Sequence, residues 1–141
     1  MGKNHRPLFA GICVASVGAI AASNTARDGS GALVTIYTAG INGDRIDRIT
    51  FISAQATAAA SSSMVGRIFI TDTAGANPQL YWETVLPTLT PSNTVIGQRQ
   101  QLTIAGGLNL DAGQIIKATI SVYAGVQDRY VCFAEGGNFT E

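Results

Sequence analysis

Charge is scarce in this chain. Asp, Glu, Lys and Arg make up 13% of its 141 residues, about half the usual share of roughly 25%. Acids and bases number nine each, so the formal net charge is zero. That excludes a basic nucleic-acid binder, which needs an excess of Lys and Arg to meet phosphates. It also excludes a disordered tail of high charge and a coiled coil built on Glu, Lys and Leu. Histidine occurs once, at His5, and cysteine twice, at Cys13 and Cys132. A lone histidine and two cysteines are too few for a structural zinc site. The thiols either pair as a disulfide between the first and last strands or stay as small buried hydrophobes; the second is expected. The apolar run from Leu8 to Ala22, behind Lys3, His5 and Arg6, has the outline of a secretory signal. Gly11, Ser16, Gly18 and its Ile and Val content make it read better as a β-strand, and it is short for a membrane span.

What is present is a strand pattern. Short runs rich in Val, Ile, Thr and Tyr alternate with Gly, Pro, Asn, Asp and Ser clusters. Strands are predicted over 8–20, 32–38, 45–55, 64–71, 80–86, 94–104, 115–123 and 129–135. Asn42-Gly43 predicts a hairpin between the second and third. In the fifth, Leu80, Trp82, Thr84 and Leu86 share one face and Tyr81, Glu83 and Val85 the other. The sixth carries Gln98, Arg99, Gln100 and Gln101, a polarity that suits an edge or a wet face. Gly106-Gly107 predicts a tight excursion after it. Residues 56–63, low in complexity, read as a flexible surface loop. No amphipathic helix is evident. The fold class is therefore all-β: an antiparallel, jelly-roll-like β-sandwich of about eight strands. It forms a single domain over residues 1–141, with a short N-terminal arm (1–7) and a C-terminal tail (136–141).

No catalytic constellation emerges. His5, the only candidate base, sits in the arm and reads as a solvated or contact residue. Asp44 and Asp47 alternate with Arg45 and Arg48, which predicts cross-strand or local ion pairs rather than acid–base chemistry. Asp28 is a weak calcium candidate and a better turn former. The glycines join no strand to a helix, so no phosphate loop is present. Trp82, Tyr81, Tyr37, Tyr123 and Tyr130 would give a sugar-stacking platform if they converged; Trp82, alternating with leucines, reads as core. No enzyme activity, cofactor or metal site is expected.

Three segments read together. They are Asn24-Thr25-Ala26-Arg27-Asp28-Gly29-Ser30-Gly31, then Thr38-Ala39-Gly40-Ile41-Asn42-Gly43-Asp44-Arg45-Ile46-Asp47-Arg48-Ile49, then Gly136-Gly137-Asn138-Phe139. This set resembles small virion proteins of tailed bacteriophages, in particular the capsid cement (decoration) proteins of podophages. Asn138 stands where the resemblance leads one to expect Asp. The resemblance implies a jelly-roll protein on the outer surface of an icosahedral head, made in the bacterial host cytoplasm. It implies the major capsid protein as partner, a homodimer, and neither nucleic acid nor membrane as ligand. The residues expected to make the contacts are Lys3, His5, Arg6, Pro7 and Phe9 of the arm and Asn138 and Phe139 of the tail. The alternative is a carbohydrate- or host-surface-binding jelly-roll module displayed on a virion.

Overall fold

The computed structural model describes residues 10–55 and 58–139. Eight strands form two antiparallel four-stranded sheets. They are β1 (Ala10–Ile20), β2 (Val34–Thr38), β3 (Asp44–Ser53), β4 (Met64–Ile70), β5 (Gln79–Leu86), β6 (Arg99–Leu110), β7 (Ile115–Ile120) and β8 (Tyr130–Phe139). One sheet has the order β1-β8-β3-β6 and the other β2-β7-β4-β5. Every sequential connection except β4–β5 therefore crosses between the sheets, which is jelly-roll connectivity rather than a meander of hairpins. The expected fold class holds.

The core lies between the sheets and follows the period-two pattern. Ile46, Ile49 and Phe51 of β3 meet Ile68 of β4, Leu86 of β5 and Ile116, Ala118 and Ile120 of β7, all fully buried. Each such aliphatic or aromatic side chain is worth about 1.5–3 kcal/mol of burial. Trp82 faces inward as expected and packs on Phe51, with ring centroids 6.1 Å apart.

Antiparallel pairing sorts the connections to two ends. Residues 21–33, 54–55, 58–63, 87–98 and 121–129 gather at a long-loop end. The turns 39–43, 71–78 and 111–114 gather at a terminal end, with the start of β1 and the finish of β8. At the long-loop end, Asp128 is 0% exposed. Its Oδ1 accepts from Ser62 N–H at 2.6 Å, and its Oδ2 from Ser62 Oγ at 3.0 Å and Ala124 N–H at 2.7 Å. Ser61 ties the same segment to Leu89 through paired bonds of 3.0 and 3.1 Å. The second half of the expected surface loop is thus laced to two neighbours. Ala56 and Thr57 lie outside the described residues.

Three expectations need correction. Asn42-Gly43 makes the expected tight turn, with Gly43 at φ 75° and its N–H bonded to Gly40 O at 3.0 Å. Yet β2 and β3 belong to different sheets, so the turn is a corner and not a hairpin. Turn chemistry fixes a chain reversal, not the pairing of what it joins. Gly106 and Gly107, at φ 77° and 76°, lie inside β6 as a bulge rather than beyond it, and the β3–β6 register shifts there. The chain does not leave the sandwich at Gly136: residues 136–139 continue β8 between β1 and β3.

The thiols also differ from expectation. Cys132 is buried, and desolvation pushes its thiol up to about 12. Cys13 is exposed, and both are free. Cys132 pairs with Gly18 and Cys13 with Gly137. The two lie five residues apart along β1, about 17 Å at the antiparallel rise, well beyond disulfide reach.

Candidate functional site

The expected contact residues separate into two groups. Lys3, His5, Arg6, Pro7 and Phe9 lie outside the described residues. Asn138 and Phe139 are half-buried strand residues at the finish of β8. Asn138 stands opposite Ile12 on one side and Asp44 on the other. Phe139 donates its N–H to Gly43 O at 3.2 Å. Both therefore sit at the terminal end, beside the corner turn.

That corner is built around Asp44, which is 1% exposed. Its Oδ2 accepts from Tyr37 Oη–H and from Gly40 N–H, each at 2.6 Å. The bond to Tyr37 joins β3 to β2 across the sandwich. Desolvation first, and then the Asp44 carboxylate, push the Tyr37 phenol well above its usual value. Among the described residues, Oδ1 has no hydrogen-bond partner. The expected ion pair at Asp44 is not formed. Arg45 pairs with Asp47 at 2.9 Å instead, and Arg48 reaches Glu135 of β8. Above this locked corner, Ile41 is 92% exposed at the turn tip.

The two outer faces differ. The outer face of the β2-β7-β4-β5 sheet is partly covered by the chain's own 21–33 segment. Asn24 shapes that segment: its Nδ2 donates to Ser30 O and Ala32 O, and its Oδ1 accepts from Ala26 N–H, all at 2.9 Å. Asp28 accepts from Ser30 N–H and Oγ–H, and these bonds hold its carboxyl below the usual range. The turn-forming reading of Asp28 thus has a geometry. Arg27 reaches across to Glu83 at 2.7 Å, and Arg67, 7% exposed beneath the segment, meets the same carboxylate at 3.1 Å. Desolvation raises the Glu83 carboxyl, but the two guanidiniums outweigh it and hold the group low.

Among the described residues, no such segment covers the outer face of the β1-β8-β3-β6 sheet. Ladder rows carry Ala19, Val131 and Ile52, then Val17, Phe133 and Thr50, then Ala15, Glu135 and Arg48. A depression of about 510 Å³ opens in the last of these rows, lined by Cys13, Arg48, Gln101, Thr103 and Glu135 among others. Its polar groups engage each other through the Arg48–Glu135 pair. No cluster of three or more His, Cys, Asp or Glu side chains occurs among the described residues. No described helix is long and apolar enough to cross a membrane.

The five aromatics do not form one platform. Tyr37 and Tyr130 are buried, Trp82 faces the core, Tyr123 is half-buried, and Tyr81 is exposed on the outer side of β5. The sequence reading missed Asp44 and Asp128 as organisers, and it missed Ile41. Ile41 had a legible signal: a large apolar residue at the tip of a Gly/Asn turn, where polar residues are usual. No family model and no curated protein matches the chain. Geometry and surface chemistry alone therefore speak to its role.

Proposed function

We propose that the chain is a structural virion protein. It is a capsid cement (decoration) protein that binds the outside of an icosahedral phage head as a homodimer and clamps neighbouring subunits of the major capsid protein. The observation that carries this reading is the jelly-roll connectivity, with all three resembling segments as its structural joints. Asn24 to Gly31 forms the cover over one sheet, Thr38 to Ile49 the inter-sheet corner, and Gly136 to Phe139 the central finish of β8. Jelly rolls serve capsid, lectin and cupin proteins alike. The divergent aromatics give the lectin reading no stacking surface. Cupin chemistry needs clustered ligands, which the described residues lack.

The physical action would be mechanical. A surface with few charges loses little in desolvation when it is covered. A standard interface buries about 1,600 Å² in total, and repeated weak contacts on a lattice add through effective concentration. Covered seams resist the internal pressure of packaged DNA.

The test uses heads stripped of this protein and the purified full chain. Rebinding, with a rise in the melting temperature of the heads, is the expected result. A chain lacking residues 1–7 should rebind less or leave the heads less stable. Failure to rebind, together with saturable glycan binding on an array, would replace this reading with the carbohydrate-binding one.

A further inference from the structure

The four sheet edges are not alike. β6 carries Arg99 and Gln101 and is broken by the Gly106–Gly107 bulge. β5 carries Glu83 and runs into Pro87. β2 is five residues long and shifts register between Thr35 and Tyr37. Charge, proline, bulges and shortness are the devices that keep an edge from pairing. β1 has almost none of them. It spans 11 residues, Ala10–Ile20, with no charged residue and no proline, and its one irregularity lies at the start, between Ala10 and Ile12. It pairs with β8 alone.

β2 approaches β1 at Gly18, where a Cβ would lie 2.9 Å from Thr35 O. Before that point no described strand other than β8 pairs with it. Cys13, Ala15 and Val17 are exposed, and Val14 and Ser16 are only half-buried although they face inward. Such an edge holds a row of backbone donors and acceptors with nothing on its own sheet to meet them.

We propose that this edge pairs with β1 of a second copy, antiparallel about a twofold axis, making one eight-stranded sheet from two. The absence of charge argues for a second copy over an unrelated strand. In a twofold interface residue i meets residue j and j meets i, so charges of one sign along the edge would face charges of the same sign. β1 carries nothing to repel its copy and nothing to select an acidic or basic partner. The outer face is continuous with the edge: Val17 and Phe133, and Ala19 and Val131, are cross-strand partners, with Ile52 beyond Val131. Pairing would carry this apolar strip across the seam. The inference deepens the homodimer of the preceding section by naming its surface. Its test needs no capsid, so the dimer and the capsid role can fail separately.

The test is sedimentation and light scattering on the purified full chain. A mass of twice the chain is expected. The double variant Ala15→Lys/Val17→Lys changes two exposed positions; it should keep the melting temperature and weaken the dimer more than tenfold. A second readout places single cysteines at Ala15, Val17 or Ala19 in a Cys13→Ser background. Disulfide-linked dimers should form there faster than for Val126→Cys, a position of similar exposure to Val17, 49% against 53%, at the long-loop end. A wild-type monomer up to about 100 µM, where a standard interface is saturated, would overturn the proposal. So would a lysine variant that dimerises as tightly as wild type, or β1 cysteines that cross-link no faster than Val126→Cys. If the lysine variant fails to fold, the cysteine series decides.

Discussion

Each end of the sandwich is held by a buried aspartate, and the two are satisfied differently. Asp128, at the long-loop end, receives three donors spread over both oxygens. Asp44, at the terminal end, receives two donors on one oxygen and, among the described residues, none on the other. Equal burial therefore does not mean equal dependence on a carboxylate. Around Asp128 every neighbour is a donor, so only a group with two accepting oxygens fits. Around Asp44 one accepting oxygen does the work, and the second atom has no assigned partner. The long-loop end is closed on its acid, whereas the terminal end, where Ile41 projects and β8 finishes, retains unused acceptor capacity.

Substitutions at these two residues would break or sharpen the contrast. Asp128→Ala should act most strongly, because it leaves Ser62 N–H, Ser62 Oγ–H and Ala124 N–H without an acceptor. A loss of about 3–5 kcal/mol is expected in urea unfolding, with faster hydrogen exchange around residues 61–62 and 124. Asp128→Asn should still cost about 2 kcal/mol, since its NH₂ must face a donor whichever way the amide turns. Tyr37→Phe removes a donor to the Asp44 carboxylate and should cost a similar amount, about 2 kcal/mol. Asp44→Asn should cost less than about 1 kcal/mol, because the amide oxygen can take both bonds and the NH₂ displaces an oxygen that accepts none. An Asp44→Asn loss as large as that of Asp128→Asn would erase the distinction between the ends. Ile41→Ser should leave stability within about 0.5 kcal/mol, yet lower occupancy on stripped heads if the terminal end docks. Undiminished occupancy would move the docking surface elsewhere.

Much of the sandwich was legible because alternation is local. The polar run through Gln98 to Gln101 suits an edge or a face turned to water or a partner, and β6 stands at an edge. The inward placement of Trp82 and Leu86 follows from the period of two, whereas a register shift sets Leu80 opposite Phe69 and breaks the expected common face. Pairing was not legible, because it depends on residues far apart in sequence. Asn42-Gly43 looked like a hairpin from its own chemistry, and only the rest of the chain assigns its flanks to different sheets. Asp128 was silent for the same reason: its partner Ser62 lies 66 positions away. Gly136-Gly137 read as a tail since glycines usually punctuate strands, whereas here they serve close backbone packing between β1 and β3. The arm residues Lys3 to Phe9 lie outside the described residues, so their expected contacts rest on the resemblance.

The place of β8 has a consequence for how the protein is made. β8, synthesised long after β1, stands second in its sheet, between β1 and β3, and among the described residues it is the only strand that β1 pairs with. From the synthesis of Ile20 to that of Phe139 the first strand must wait, on the order of ten seconds at roughly 5–20 residues per second. Through that interval β1 has two open edges and no charge on either. The pairing of this sheet is thus completed only after β8 has been made. A crowd of growing chains on one message would present their uncharged first strands to each other before their own last strands arrive.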